Sequence, residues 1–219
     1  MTERKTRRKY ELGQRAETMN ETRRRITNAT IELHGTVGPA HTTIAGIADL
    51  AGVQRHTVYR HFPTEEDLFT ACSTEYWNRN PWPETARWEE IAAPEQRLAA
   101  ALGDLYEFYE QVEPMLSNVL RDAPTVPLAE QSLDSYLAYM DQAAATVSAG
   151  YGPSADAAAR ETTPVSHVVK RSLFDVAIRH AIAFSTWRSV VRSNDLSTTD
   201  AIRLMTALVR SSADLDPAV

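Results

Sequence analysis

The chain has 219 residues, of which 43% are hydrophobic and 24% are charged, so we expect a folded protein rather than a disordered one. A single cysteine, Cys72, excludes an internal disulfide framework and a cysteine-based metal cage. No run of about 18 apolar residues occurs, and the N-terminus lacks the apolar segment of a signal peptide. We therefore expect a cytoplasmic protein with no membrane partner.

Charge is distributed unevenly along the chain, although the total is only −6. Residues 1–62 hold 11 Lys and Arg against 6 Asp and Glu, whereas residues 63–219 hold 12 against 23. A basic N-terminal part on an acidic body is expected when one end binds a polyanion. The alternative is a basic tail without a specific partner.

The first four predicted elements lie within about 70 residues. Residues 1–20 are polar and arginine-rich, so we expect a flexible basic arm that either follows DNA or stays solvated. An amphipathic helix begins near Glu21 and ends at the glycines that follow His34. Thr43 can cap a second helix, which Gly52 ends. A third short helix is predicted from Gln54 to His61, and a fourth after it.

The remaining sequence also shows a helical period, with apolar residues three and four positions apart. One helix ends near Pro114, a second spans the region around residues 133–147, and a long helix covers 166–193 before another at 198–213. Gaps at 81–94, 123–127 and 150–164 separate these elements. We therefore predict an all-α protein with a flexible arm (1–20), a three-helix helix-turn-helix DNA-binding domain (21–68) and a larger helical ligand-binding and dimerisation domain (69–219).

The third helix carries the residues that we expect to contact DNA. Val58 and Phe62 anchor it to the core, while its outward face is rich in hydrogen-bond donors and acceptors. Arg pairs with guanine and Gln with adenine, whereas Thr, Tyr and His commonly bind phosphates. The predicted outward residues are Gln54, Arg55, His56, Thr57, Tyr59, Arg60 and His61.

Residues 42–69, TTIAGIADLAGVQRHTVYRHFPTEEDLF, closely resemble the tetracycline-repressor (TetR) family of bacterial regulators. The resemblance spans about residues 22–72, and a weaker one covers residues 183–190, AFSTWRSV. It implies that Gln54, Arg55 and His56 face base edges. It also implies backbone contacts from the following residues: Arg23, Thr43, Thr57, Tyr59 and His61.

The sequence departs from the family pattern at several positions. Gln54 and His56 stand where Ser and Gly are frequent, so bulkier side chains face the groove. Ala45 and Gly46 replace a common polar contact of the second helix. Glu65 stands where a phosphate-binding Lys is frequent, which leaves backbone amides near Thr64 for that role.

Two further sets of residues have expected roles in the C-terminal domain. Aromatic and methionine side chains could line an apolar ligand cavity or fill the core: Trp77, Tyr106, Tyr109, Met115, Tyr136, Met140 and Phe174. The last two helices resemble those that dimerise this family, which implies an interface of Val176, His180, Ala183, Trp187, Val190, Met205 and Val209.

The sequence thus predicts a homodimeric repressor that binds a palindromic double-stranded operator and is released by a small hydrophobic or aromatic effector. An activator or a ligand-independent architectural DNA binder is the alternative.

We find no phosphate loop, nucleophile elbow or metal-ligand spacing, so we predict no enzyme activity, no cofactor and no metal. Cys72 is interpreted as a small buried hydrophobe, with oxidant sensing as the alternative.

Overall fold

A computed structural model describes residues 2–149 and 173–213, with side chains described for residues 17–149 and 173–212. Within these ranges the chain forms helices joined by turns and has no β-strand. The predicted all-α class, with an N-terminal helix-turn-helix and a helical remainder, is confirmed. Residue contacts divide the chain into unit 1 (Met1–Pro81 and Val112–Asp134) and unit 2 (Trp82–Gln111 and Ser135–Val219).

Unit 1 contains the head, by which we mean helices α1 to α4, together with helical segments packed near it. Its elements are α1 (Thr2–Thr36), a 3₁₀ turn (Pro39–His41), α2 (Ile44–Ala51), α3 (Arg55–His61), α4 (Glu65–Arg79), the last turns of α6 (Pro94–Asp122) and α7 (Pro127–Ser132). Helix α1 packs on both α2 and α4, and α2 packs on α3. The apolar side chains of the shared core are Ile26, Ala29, Ile47, Ala48, Ala51, Val58, Phe62 and Leu68. The predicted domain boundary between residues 68 and 69 falls inside α4.

Unit 2 is a second helical body with its own core. Its elements are α5 (Thr85–Glu89), the first part of α6, α8 (Asp134–Ser148), α9 (Leu173–Ile182), α10 (Phe184–Trp187), a π-helical stretch (Arg188–Ser193) and α11 (Thr198–Ala213). The apolar stripe predicted for α6 is buried, as are most of the residues predicted for α8. The predicted gap at 150–164 and residues 166–172 of the predicted long helix lie outside the described residues.

Helix α1 begins at Thr2, so the predicted start of the helix near Glu21 is wrong. Residues 2–20 contain many Arg, Lys, Glu and Gln side chains and no proline. These residue types have favourable helix propensity even without an apolar face. The apolar period used for the prediction detects a helix that has one buried face. It does not detect a helix that is polar on all sides.

Helix α6 continues through Pro114 to Asp122, so the predicted end near Pro114 is also wrong. Proline removes one backbone donor and leaves the carbonyl four residues earlier unpaired. Pro114 and Glu110 are both exposed, so water can hydrate that carbonyl. The buried side chains of Met115, Leu116 and Val119 continue the apolar pattern beyond the proline.

The predicted long helix is interrupted at Ala183, whose backbone is extended with φ −70° and ψ 141°. The interruption frees carbonyls in the last turn of α9. The Tyr106 hydroxyl donates to the Ala181 carbonyl over 2.9 Å, and the Tyr109 hydroxyl donates to the Ile182 carbonyl over 2.7 Å. Two buried tyrosines of α6 therefore satisfy backbone groups that would otherwise be buried without partners.

The turn between α2 and α3 provides a stability test. Gly52 has φ +64°, and a Cβ there would lie 2.8 Å from Arg25 Nη2. Gly52→Ala should lower the free energy of unfolding by about 1 to 2 kcal/mol, because a left-handed conformation is unfavourable for a residue with a Cβ. Urea denaturation measures this change. Gly103→Ala is the matched control: its Cβ would make an ordinary 4.0 Å contact with Ile202, so no loss is expected. An equal loss in both variants would contradict the prediction.

Candidate nucleic-acid interface

The helix-turn-helix is built from short-range signals in the sequence. The Thr43 hydroxyl accepts a hydrogen bond from the Gly46 amide over 3.0 Å and caps α2, as predicted. Gly52 ends α2 in the left-handed conformation, as expected for a helix C-terminus. Helix α3 follows after two residues and buries Val58, while Phe62 is buried directly after it. The recognition helix is therefore fixed to the core along one side.

Two arginines of α1 hold the ends of the neighbouring helices. The Arg23 guanidinium donates to the His61 carbonyl over 2.5 Å and lies 4.0 Å from the centre of the Phe62 ring. The Arg25 guanidinium donates to the carbonyls of Ala51 and Gly52 at the C-terminus of α2. A positive charge at this end also interacts favourably with the helix dipole. The contact of Arg25 with α2 could not be predicted, because the two segments meet only in the fold.

The exposed face of α3 holds most of the residues predicted to contact DNA. Gln54, Arg55, His56 and Tyr59 are exposed, and Thr57 is half-buried. Arg60, Thr43 and Arg23 are exposed as well. These side chains expose amide, guanidinium, imidazole and hydroxyl groups. Such groups match the donor and acceptor pattern of the major groove and the charge of phosphates.

His61 does not share that surface. Its side chain is buried, and its Nε2 atom has no hydrogen-bond partner among the described residues. Burial lowers the pKa of His61, and the charges of Arg60 and Arg23 lower it further. The prediction that His61 faces outward is wrong, because its position near the last turn of α3 rotates the ring towards the core.

The N-terminus of α4 forms a capping box. The Asp67 amide donates to the Thr64 hydroxyl over 3.0 Å, and the Thr64 amide donates to the Asp67 carboxylate over 3.1 Å. These two amides, which we expected to be available to a phosphate, are thus already used within the helix end.

A recess of unit 1 contains two of the residues predicted to bind a ligand. It has room for about one water molecule, about 20 Å³, and lies among α1, α4, α6 and the region where α7 meets α8. Its lining includes both predicted residues, Trp77 and Met115, and these others: His34, Cys72, Tyr76 and Leu133. Below we call it the His34 recess. His34, which lies near the end of α1, was not predicted to bind a ligand.

The other residues predicted to bind a ligand pack within unit 2. Tyr106 and Tyr109 are fully buried, and the Tyr109 hydroxyl also lies 3.5 Å from Met140 Sδ. Tyr136 and Phe174 are buried too. Burial raises the pKa of Tyr109 well above its usual value. These side chains fill a core, which is the alternative that the sequence left open for them.

The residues predicted for a dimer interface fall on two different sides of the last helices. Val176 and His180 are exposed, and Ala183 and Val190 are half-buried. Trp187, Met205 and Val209 are buried inside their own chain. Assigning these three to an interface was wrong, because α9 packs on α11 and covers the Met205 side of that helix. The exposed apolar residues are instead Leu173, Val176, Leu204 and Leu208.

No helix in the described ranges has the length and apolar character needed to cross a bilayer. In the same ranges, no three His, Cys, Asp or Glu side chains are grouped so that they could hold a metal ion. Burial raises the pKa of the Cys72 thiol to about 12, so the thiol stays protonated.

A capped helix, a glycine turn and a short helix with an exposed polar face define a helix-turn-helix DNA-binding protein. Residues 26–72 match the profile described as bacterial regulatory proteins, tetR family. The resemblance that the sequence shows to this family is thereby confirmed over these residues. Members of this family are generally DNA-binding proteins without enzymatic activity.

Solved structures show the same fold at low sequence identity. A TetR-like transcriptional regulator from Rhodococcus sp. RHA1 is 15% identical, with TM-score 0.56 over 86% of this chain and 93% of that one. A tetR-family transcriptional regulator from Streptomyces coelicolor is 21% identical, with TM-score 0.52 over 90% and 80%. The multidrug binding protein EbrR, complexed with imidazole, is 20% identical, with TM-score 0.51 over 85% and 93%. No curated protein sequence matches the chain significantly.

His34 makes the stability of the protein depend on pH. Burial lowers its pKa from 6.5 to about 4 and outweighs the attraction of Asp122. Between these pH values the unfolded chain binds a proton that the folded chain does not. The free energy of unfolding should therefore fall as the pH falls from 6.5 to 4, with up to about 3 kcal/mol from His34.

Urea denaturation at several pH values measures this dependence. His34→Gln should reduce the loss of stability between pH 6.5 and 4, and a smaller part should remain because burial also lowers the pKa of His61. His56→Gln changes an exposed histidine of α3 and serves as the control. An unchanged pH dependence in His34→Gln would contradict the assignment.

Proposed function

We propose that the protein is a homodimeric repressor that binds a palindromic operator through α3 and leaves it when a small hydrophobic or aromatic molecule binds. The observation that carries this proposal is the exposed polar face of α3, a helix that the buried side chain of Val58 anchors to the core. Binding of the effector would tilt α4 and move the two recognition helices out of register with their half-sites. For release to occur, the effector must bind the DNA-free form more tightly.

The chemistry of the exposed face supports sequence-specific binding of DNA. Arg55 can donate two hydrogen bonds to guanine and Gln54 can pair with adenine. Tyr59, which is 52% exposed, and Thr43 are suited to the phosphates on either side. Residues 1–62 carry a net positive charge, which favours approach to the duplex.

The exposed apolar residues of the last helices support a dimer. Leu173 and Val176 on α9 are each 52% exposed, and Leu204 and Leu208 on α11 are 42% and 53% exposed. Exposed apolar residues on two helices that pack together are typical of surfaces that bind another protein. A second copy of the chain would bury these residues and present two recognition helices. Two half-sites about 34 Å apart would then specify a palindromic operator.

A small-molecule effector is supported by one of the structures with a similar fold, a multidrug binding protein complexed with imidazole. The alternative is an activator or an architectural DNA binder that uses the same head and responds to no small molecule. A screen for molecules that release the protein from its operator distinguishes the two functions.

DNA binding is tested with fluorescence anisotropy. The probe is a duplex spanning the region upstream of the protein's own gene, compared with a scrambled duplex at two salt concentrations. Arg55→Ala and Tyr59→Ala should each abolish tight, salt-sensitive binding, because each removes a group that contacts the duplex. Their thermal stability should change little, since both side chains are exposed.

Arg203→Ala is the matched control, because it removes one positive charge from an exposed position of α11. It should bind the operator as the unchanged protein does. Normal binding by both the Arg55 and the Tyr59 variants would show that α3 is not the recognition helix.

Dimerisation is tested by sedimentation velocity. The double variant Leu204→Glu with Leu208→Glu should be monomeric, because burying unpaired carboxylates between two copies is strongly unfavourable. Leu137→Glu, which changes a leucine of α8 that is 54% exposed, should leave the dimer intact. A double variant that stays dimeric would place the interface elsewhere.

A further inference from the structure

Helix α1 is much longer than its packing on the head requires. Its contribution to the apolar core begins at Ile26, and the guanidinium groups of Arg23 and Arg25 hold the ends of α3 and α2. The helix nevertheless starts at Thr2. At a rise of 1.5 Å per residue, residues 2–20 add about 28 Å to its length. We call residues 2–20 the α1 extension.

The α1 extension has no apolar face that packing on the head or on a membrane would need. Between residues 2 and 16 the apolar residues of the sequence are Tyr10, Leu12 and Ala16, which are too few to form such a face. Residues 17–21, where the extension joins the head, are exposed. A helix that binds a membrane surface buries a continuous apolar face, so a lipid bilayer is a poor partner for this segment.

The α1 extension is strongly basic. Residues 2–16 contain six Lys and Arg against two Glu, whereas the whole chain has a net charge of −6. A concentration of positive charge on an otherwise acidic protein is expected where a polyanion binds. The phosphate backbone of DNA is the polyanion that the head binds in the proposed function, and it attracts Lys and Arg whatever the base sequence.

Half of these cations share one side of the helix with the residues that pack on the head. At about 100° per residue, positions 4, 8 and 15 fall on the same stripe as positions 26, 29 and 33. Ile26 and Ala29 are buried in the head core, and Leu33 packs against it. Glu11 also falls on this side, so three Arg and one Glu leave the stripe positive within residues 2–16. We call the three basic positions the arginine stripe: Arg4, Arg8 and Arg15.

The same side of α1 carries the helix-turn-helix. Ile26 shares its core with Ile47 of α2 and Val58 of α3. A duplex bound to the exposed face of α3 lies on that side of α1 as well. Where the duplex continues past the recognition helix, the arginine stripe therefore lies on the side of the extension that is nearest to it.

The N-terminus of α4 is poorly suited to bind the flanking phosphates. Glu65, Glu66 and Asp67 are exposed in its first turn and would repel a phosphate. The capping box between Thr64 and Asp67 also uses two of the amides at this helix end. Positive charge for the flanking backbone must come from another element, and the α1 extension carries it.

We propose that the α1 extension is a second DNA-binding element, which contacts phosphates of the duplex outside the half-sites through the arginine stripe. Its length of about 28 Å corresponds to about eight base pairs, at 3.4 Å per base pair. Phosphate contacts carry no sequence information, so the flanking base pairs should add affinity whatever their sequence. The assignment rests on the proposed function, because the extension acts beside a head that binds the operator.

The first experiment varies the length of the duplex, with binding of the full-length protein measured by fluorescence anisotropy. A duplex that ends at the outer edges of the palindrome is compared with one that carries about ten further base pairs on each side. At low salt we expect the flanks to lower Kd at least about tenfold, and two unrelated flank sequences to act equally. A protein that lacks residues 2–16 should gain less than about twofold from the flanks, yet bind the short duplex within about threefold of the unchanged protein.

The second experiment compares two triple variants that remove equal charge from different sides of the extension. The first changes the arginine stripe: Arg4→Gln, Arg8→Gln and Arg15→Gln. The matched control changes the cations outside the stripe: Lys5→Gln, Arg7→Gln and Lys9→Gln. Glutamine has nearly the helix propensity of Lys and Arg, so the helix should persist in both. We expect the first variant to lose most of the affinity gained from the flanks and the control to keep at least about half of it.

Each other outcome contradicts a different part of the proposal. An equal gain from the flanks without residues 2–16 shows that the extension is not a DNA-binding element. Equal losses in the two triple variants overturn the assignment to the arginine stripe. Weak binding of the shortened protein to the short duplex places the contact inside the half-sites. Binding to phosphatidylserine vesicles that requires residues 2–16, without any gain from the flanks, makes a membrane surface the partner.

Failure of the head gives a different result from failure of the extension. If the unchanged protein does not prefer its operator to a scrambled duplex, the proposed function is contradicted. Salt-sensitive binding to scrambled duplexes that is lost without residues 2–16 would then still support the extension as a DNA-binding element. Binding to scrambled duplexes that is the same without residues 2–16 would contradict it.

Discussion

The recognition surface depends on how α1 holds the two helices of the helix-turn-helix. Short helices such as α2 and α3 are not stable alone, and the small head buries limited apolar area. Ile26 and Ala29 supply the buried contact, and the guanidinium groups of Arg23 and Arg25 bind the carbonyls at the ends of α3 and α2. These charge-assisted bonds fix the orientation of α3 without using its exposed face. The side chains that place α3 are therefore distinct from those on its own exposed face.

The head could be predicted because its signals are local. The cap at Thr43, the left-handed turn at Gly52 and the burial of Val58 each depend on residues only a few positions apart. Where the position of a side chain or the end of a helix depends on contacts with a distant part of the chain, the sequence did not predict it. The side chain of His61 is buried, and at the helix break at Ala183 hydroxyls from α6 donate to the freed carbonyls. Neither the burial of His61 nor the helix break at Ala183 leaves a periodic pattern in the sequence.

In the C-terminal part, too, local sequence patterns could not identify which residues are exposed together. Helix α11 has two apolar stripes at the same spacing, one with Met205 and Val209 and the other with Leu204 and Leu208. Periodicity identifies both stripes, but only packing on α9 decides which one faces outward. The His34 recess likewise joins segments that are distant in sequence, since His34 lies on α1 and Met115 on α6. Aromatic content pointed to Trp77 and Met115, yet it pointed equally to tyrosines that fill a core.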